Sequence, residues 1–128
     1  MSVVKKINTE NAPAAIGPYS QAVAAGDTIY LSGQIGIDPK TGKLVDGTIA
    51  GETKQALENI KAVLLDAGSD MTKIVSVTVY LADMEDFAKM NEIYAGYFKE
   101  PYPARATVAV KQLPKNAKVE ISTVAIKI

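Results

Sequence analysis

Apolar and polar positions alternate most cleanly over Ile74 to Ala82, where Val75, Val77, Val79 and Leu81 share one side and Ser76, Thr78 and Tyr80 the other. Alternation of this kind predicts a half-buried strand. A weaker alternation over Val3 to Ile7 predicts a short edge strand. Ser20 to Ala25 and Thr28 to Gly33 are separated by Gly26-Asp27, a two-residue turn suited to a tight hairpin. Later, Pro103 to Val110 reads as a strand carrying Arg105, Thr107 and Ala109 on one side and Ala106, Val108 and Val110 on the other. Leu113 to Ala117 has turn chemistry, and Val119 to Ile128 reads as a final strand, so these last two are expected to pair as an antiparallel hairpin.

The period changes to helical twice. Thr48, or Asp46 before it, is placed to cap a helix over Ile49 to Ala67 with Gly68 as its stop, and Ala56, Ile60, Val63, Leu64 and Ala67 form its apolar stripe. Asp83 is placed to cap a second helix from Met84 to about Lys99, with Phe87, Met90, Tyr94 and Phe98 as its stripe and Asn91 among them. Strand, helix, strand order predicts that the 74–82 strand runs parallel to a preceding one. The element order ββ(β)αβαββ implies an α+β fold, a single mixed β-sheet with two helices on one face. The valine side of the 74–82 strand should meet those helices. The final strand is apolar on both sides, so the second face of the sheet also needs a cover, and another subunit is the expected one.

A chain of 128 residues, 48% hydrophobic and 22% charged, is expected to form one domain over 1–128. No apolar run reaches the roughly 20 residues of a membrane helix, and Met1 to Lys6 lacks a signal-like apolar region, so a cytoplasmic location is expected, with no membrane partner. Fourteen basic and fourteen acidic residues cancel, which argues against nucleic acid as a partner. With no cysteine and no histidine, thiolate nucleophiles, histidine triads and sulfur- or imidazole-ligated metals drop out. Catalysis must then use carboxylates, Arg, Lys, Tyr, hydroxyls or backbone groups.

Within those limits a few residues stand out. Arg105 and Glu120 are isolated charges in otherwise apolar or small runs, where pairing with each other or facing a ligand are the two usual resolutions. Tyr19 lies in a Pro- and Gly-rich loop, where its hydroxyl can face a ligand or its ring can close a core edge. Gly33 after Ser32 would let a ligand approach the backbone, or simply end a strand; Gly33-x-x-Gly36 is neither a P-loop nor a dinucleotide fingerprint.

Pro103-Ala104-Arg105 with Val108, Lys111 and Leu113, then Val119-Glu120-Ile121, resembles the signature of the RidA (YjgF) family of reactive intermediate deaminases. Asn11 to Gln21, Ser32-Gly33-Gln34-Ile35 and Asn91 to Tyr94 extend the resemblance over essentially the whole chain. It implies a chorismate-mutase-like fold, a homotrimer with intersubunit sites, and hydrolysis of 2-imino acids or their enamine tautomers to 2-oxo acids and ammonia, with no metal or cofactor. On that resemblance Arg105 anchors the substrate carboxylate, Glu120 handles the water, and Tyr19, Ser32, Gly33 and Asn91 line the cleft. Thr107 stands where close relatives commonly carry Cys. The alternative from a different class is a non-catalytic small-carboxylate-binding or chaperone-like protein, which would use Arg105 but have no need of Glu120.

Overall fold

The computed structural model describes residues 3–128. Six strands form one sheet in the order β1-β2-β3-β8-β6-β7: β1 (Val4–Ile7), β2 (Ala22–Ala25), β3 (Thr28–Gln34), β6 (Ile74–Leu81), β7 (Ala104–Ala109) and β8 (Val119–Ile126). Two short strands, β4 (Ile37–Asp38) and β5 (Lys43–Leu44), form a separate ribbon around the Asp38–Lys43 turn; nothing in their periodicity announces them. The helices are α1 (Ile49–Asp66) and α2 (Phe87–Ala95).

Local chemistry sets the element ends as expected. The Thr48 hydroxyl accepts the Gly51 N–H at 2.9 Å, a cap worth about 1 kcal/mol. Asp46 in turn accepts the Thr48 N–H at 3.0 Å and its hydroxyl at 2.7 Å, so both candidate residues take part. The second helix is shorter than its pattern: Met84–Asp86 form a 3-10 turn, with Asp83 accepting the Glu85 N–H at 2.9 Å, and the α-helix closes at Ala95 before Gly96. Its stripe survives this, because Met90 and Tyr94 are buried and Phe87 and Phe98 pack on the core.

The sheet and the helices make two layers. Ile29, Leu31, Val77, Val79, Leu81, Val119, Ile121 and Ala125 point from the sheet at Ala56, Leu57, Ile60, Val63 and Leu64 of α1, all buried. Each large side chain so buried contributes about 1.5–3 kcal/mol. The valine side of β6 does meet the helices, with one exception. Pairing with β8 slips between Ile74 and Ser76, and Val75 is extruded to 46% exposure while Ile74 takes the inward place.

One pairing differs from expectation, and one expected orientation holds without the strands touching. β7 and β8 do not form a hairpin: β7 pairs parallel with β6 at one edge, and β8 enters the middle of the sheet, antiparallel to both β3 and β6. The links in between, α2 before β7 and the Leu113–Ala117 turn before β8, carry the chain past its sequence neighbour. β6 runs in the same direction as β3, since both oppose β8, but the two never touch. The crossover through α1 therefore leaves a slot that the last strand fills.

Among the described residues, the face of the sheet opposite the helices is covered only at one end, where Ile35, Leu113 and Ala117 pack against Tyr80. Tyr30, Val108 and Ile126 are exposed on this face by 40–50%, beside the half-buried Thr78, Tyr80, Ser122 and Val124. No helix of the described residues is long and apolar enough to cross a membrane.

Candidate active site

The slot-filling topology decides where the two isolated charges go. Arg105 stands opposite Val77 in the β6–β7 ladder, and Val77 is buried beneath the helices, so the Arg105 side chain rises on the helix face. Glu120 stands opposite Tyr80, whose neighbours Val79 and Leu81 face the helices, so Glu120 projects from the open face. Within one chain the two charges lie on opposite sides of the sheet with β6 between them. The internal ion pair that their isolation also allowed does not form; among the described residues the one side-chain ion pair is Lys89–Glu92, on the surface.

On the helix face, Arg105 is held by α2 and by the segment that precedes β7. Its Nη1 donates to Asn91 Oδ1 at 2.7 Å. The guanidinium lies over the Tyr94 ring at 4.6 Å and near the Phe87 ring at 5.7 Å, and Tyr94 itself stacks on Phe98 at 4.3 Å. Cation–π contact of this kind is worth about 0.5–1 kcal/mol at an exposed site and fixes the plane of the fork. Asn91, Tyr94, Tyr102 and Pro103 surround Arg105 in a cleft of about 480 Å³. Burial pushes the Tyr94 hydroxyl above its ordinary pKa, against the opposing pull of Arg105. Thr107 shares the helix face of β7, opposite Val79, and its buried hydroxyl finds no partner.

On the open face, Glu120 sits in a larger cleft of about 660 Å³ with Tyr19, Ser32, Gly33, Ile35 and Lys115. β3 bulges here, since pairing with β8 jumps from Leu31↔Thr123 to Gln34↔Ile121, leaving Ser32 and Gly33 without rungs. The bulge explains the glycine. A Cβ on Gly33 would lie 2.5 Å from Glu120 Oε2 and 2.8 Å from its Cδ, so the carboxyl group occupies the space a side chain would take. Desolvation alone pushes Glu120 above the usual carboxylate range, and no hydrogen bond from a described residue relieves it. Ser32 is already committed: its hydroxyl donates to Ser20 C=O at 2.6 Å and its N–H to Gln21 C=O at 3.0 Å. Tyr19 is 54% exposed rather than packed on the core, and its hydroxyl accepts the Ile16 N–H at 3.4 Å.

The residues singled out from sequence thus fall into two groups, Arg105, Asn91 and Thr107 on one face and Glu120, Tyr19, Ser32 and Gly33 on the other. Tyr94 and Phe87, the platform under Arg105, are additions. Their spacing with Asn91 on α2 carries that signal, but the same spacing describes a core stripe. Lys115 is a second addition, on a turn where it and Asn116 adopt left-handed φ of 57° and 56°. Among the described residues no three His, Cys, Asp or Glu side chains gather as a metal site would require.

Comparison with known proteins fits this geometry into a family. The family model described as endoribonuclease L-PSP matches residues 9–127. The chain belongs to the RidA family. It is 57% identical over 121 residues to a RutC family protein of Pyrococcus horikoshii, covering 94% of this chain and 96% of that one. To the human 2-iminobutanoate/2-iminopropanoate deaminase it is 55% identical over 121 residues, covering 94% and 88%. A solved Rid-family structure from Yersinia pestis superposes with a TM-score of 0.95 at 49% identity, over 97% of this chain and 99% of that one. RidA relatives thus include proteins named as imine deaminases alongside others named only by family.

Proposed function

We propose that this RidA protein is a hydrolytic deaminase of 2-imino acids and their enamine tautomers, such as 2-aminoacrylate and 2-iminobutanoate, acting at sites shared between subunits of a homotrimer. The observation that carries the reading is the division of the site. An anchor for a carboxylate and an unsatisfied carboxyl group are both built, on opposite faces of one sheet, and the open face that bears Glu120 and the exposed Tyr30, Val108 and Ile126 is where another copy would dock. A neighbouring copy presenting its β7 edge would bring an Arg105 to each Glu120.

The chemistry follows from the groups so joined. Arg105, with Nη1 spent on Asn91 and its plane fixed by Tyr94, offers its remaining N–H groups to the substrate carboxylate. Glu120 takes a proton from water as the water oxygen bonds to the imine carbon and the C=N π electrons move to nitrogen. It passes that proton to the nitrogen, giving a carbinolamine. The hydroxyl proton then follows by the same route as the C–N bond breaks, so ammonia leaves and the C=O of the 2-oxo acid forms. A carboxyl group with a raised pKa suits two-way proton transfer, which contributes about 10²–10⁴-fold. Tyr19 and the Gly33 backbone close the cleft over the reacting carbon.

Mixing two inactive variants tests the shared site directly. Arg105→Lys and Glu120→Gln are each expected to lose imine hydrolysis, followed as the accelerated loss of 2-iminobutanoate generated in situ. Unfolded together and refolded at equal amounts, they should recover about a quarter of wild-type activity, because random assembly puts an intact Arg105 beside an intact Glu120 at one interface in four. No recovery in mixed oligomers would refute the shared site. Thr78→Glu, placing a charge on the open face, should lower apparent mass and activity together.

A further inference from the structure

We propose that Gln21 is a positioning residue that fixes the Tyr19 loop over Glu120; the proposal rests on the reading of Tyr19 as part of the active site. Gln21 is 2% exposed and immediately precedes β2. The β1–β2 ladder ends at Ile7↔Ala22, where the chain after β1 turns away. Past that point the Gln21 side chain takes over the pairing. Its Oε1 accepts the Thr9 N–H at 2.7 Å and its Nε2 donates to the Thr9 C=O at 3.0 Å, so one amide group meets both backbone groups of a single residue, as an opposing strand would.

The same Nε2 reaches two further carbonyls, Pro13 O at 2.8 Å and Ala12 O at 3.3 Å. Two of the four contacts hold Thr9 and the other two pin the start of the 12–19 segment, which has little backbone bonding of its own beyond Tyr19 N–H to Gly17 C=O at 2.9 Å. The backbone of Gln21 faces the other wall of the cleft, its C=O accepting the Ser32 N–H at 3.0 Å beside the Gly33 bulge. One residue therefore ties the loop that carries Tyr19 to the bulge that makes room for Glu120. Tyr19, half-exposed and with a single long bond at its hydroxyl, has no comparable anchor.

Gln21→Met keeps the length of the side chain and removes every polar contact. Imine hydrolysis should fall a few-fold, mainly in kcat, and by no more than Tyr19→Phe costs, because Gln21 acts through that residue. Amide hydrogen exchange over residues 14–19 should accelerate while the amides of β3 and β8 keep their protection. In a Tyr19→Phe background the same substitution should cost a clearly smaller factor, since two residues acting through one group do not add. Unchanged exchange in the loop, or an equal factor in both backgrounds, would overturn the proposal. If Tyr19→Phe alone leaves activity intact, it is the catalytic reading of Tyr19 that fails, and the exchange measurement still decides whether Gln21 holds the loop. Gln21→Asn, one methylene too short to reach Thr9, replaces the methionine variant if that one does not fold.

Discussion

The Arg105 and Glu120 clefts are built on opposite principles. Arg105 is exposed but constrained: a hydrogen bond to Asn91 and the face of Tyr94 fix its orientation without withdrawing it from solvent. Glu120 is half-buried and unsupported, held against a glycine with no described residue donating to its carboxyl group. A group that must bind benefits from being satisfied and aimed. A group that must exchange protons benefits from being left in want of one. The two requirements conflict at a single location, and opposite faces of a sheet let each be met separately.

The sharpest way to break this contrast is Glu120→Gln, with turnover expected to fall by about 10²–10⁴-fold. Stability should move the other way. A carboxyl whose folded pKa is raised costs stability once ionised, so wild type is penalised above that raised value and not below the ordinary carboxyl range near pH 4. The glutamine variant should melt higher at neutral pH, and the gap should close as pH falls towards about 4. Equal melting temperatures throughout would contradict the desolvated carboxyl.

Arg105→Lys comes next. The ammonium keeps the charge but cannot stack on Tyr94 as a planar fork or offer parallel donors, so kcat/KM should drop by well over tenfold with little change in melting temperature. Gly33→Ala should cost on the order of tenfold in kcat, because its Cβ displaces the Glu120 carboxyl while the bulge itself survives. Tyr19→Phe should be the mildest, a few-fold loss of activity with the fold intact, since the half-exposed hydroxyl supports no core contact. A melting temperature several degrees lower would assign this tyrosine a structural role instead.

Much of this was legible in the chain, and what was not has a common cause. Period-2 alternation placed the strands, and the valine side of β6 was correctly given to the helices, because burial of side chains is what writes that pattern. Alternation says which side a residue faces relative to its neighbours; it carries no information on which strand lies alongside. The expected β7–β8 hairpin therefore failed where local turn signals were good, and with it the idea that Arg105 and Glu120 sit within one hairpin. Val75 failed for a related reason, since a bulge shifts the phase of a pattern without altering the pattern. At the site, charges in apolar runs were visible as anomalies. Tyr94 and Phe87 were not, because a ring beneath a guanidinium and a ring in a core have the same spacing on a helix. Gln21 was hidden as well, its four bonds reaching residues eight to twelve positions away.

The central position of β8 also bears on how the molecule is made. The last strand in the chain order joins β1–β3 to β6–β7, so before it arrives the two halves of the sheet share no ladder. Without residues 119–126, β3 and β6 have no ladder partner on the sides that β8 fills. Closing the gap between them is a long-range event of the kind that slows folding and leaves strand edges unprotected. Glu120 rides on that closing strand. Glu120 and the cleft around it thus come into being only in the step that completes the sheet, whereas the Arg105 cleft is built from α2, β7 and the segment between them.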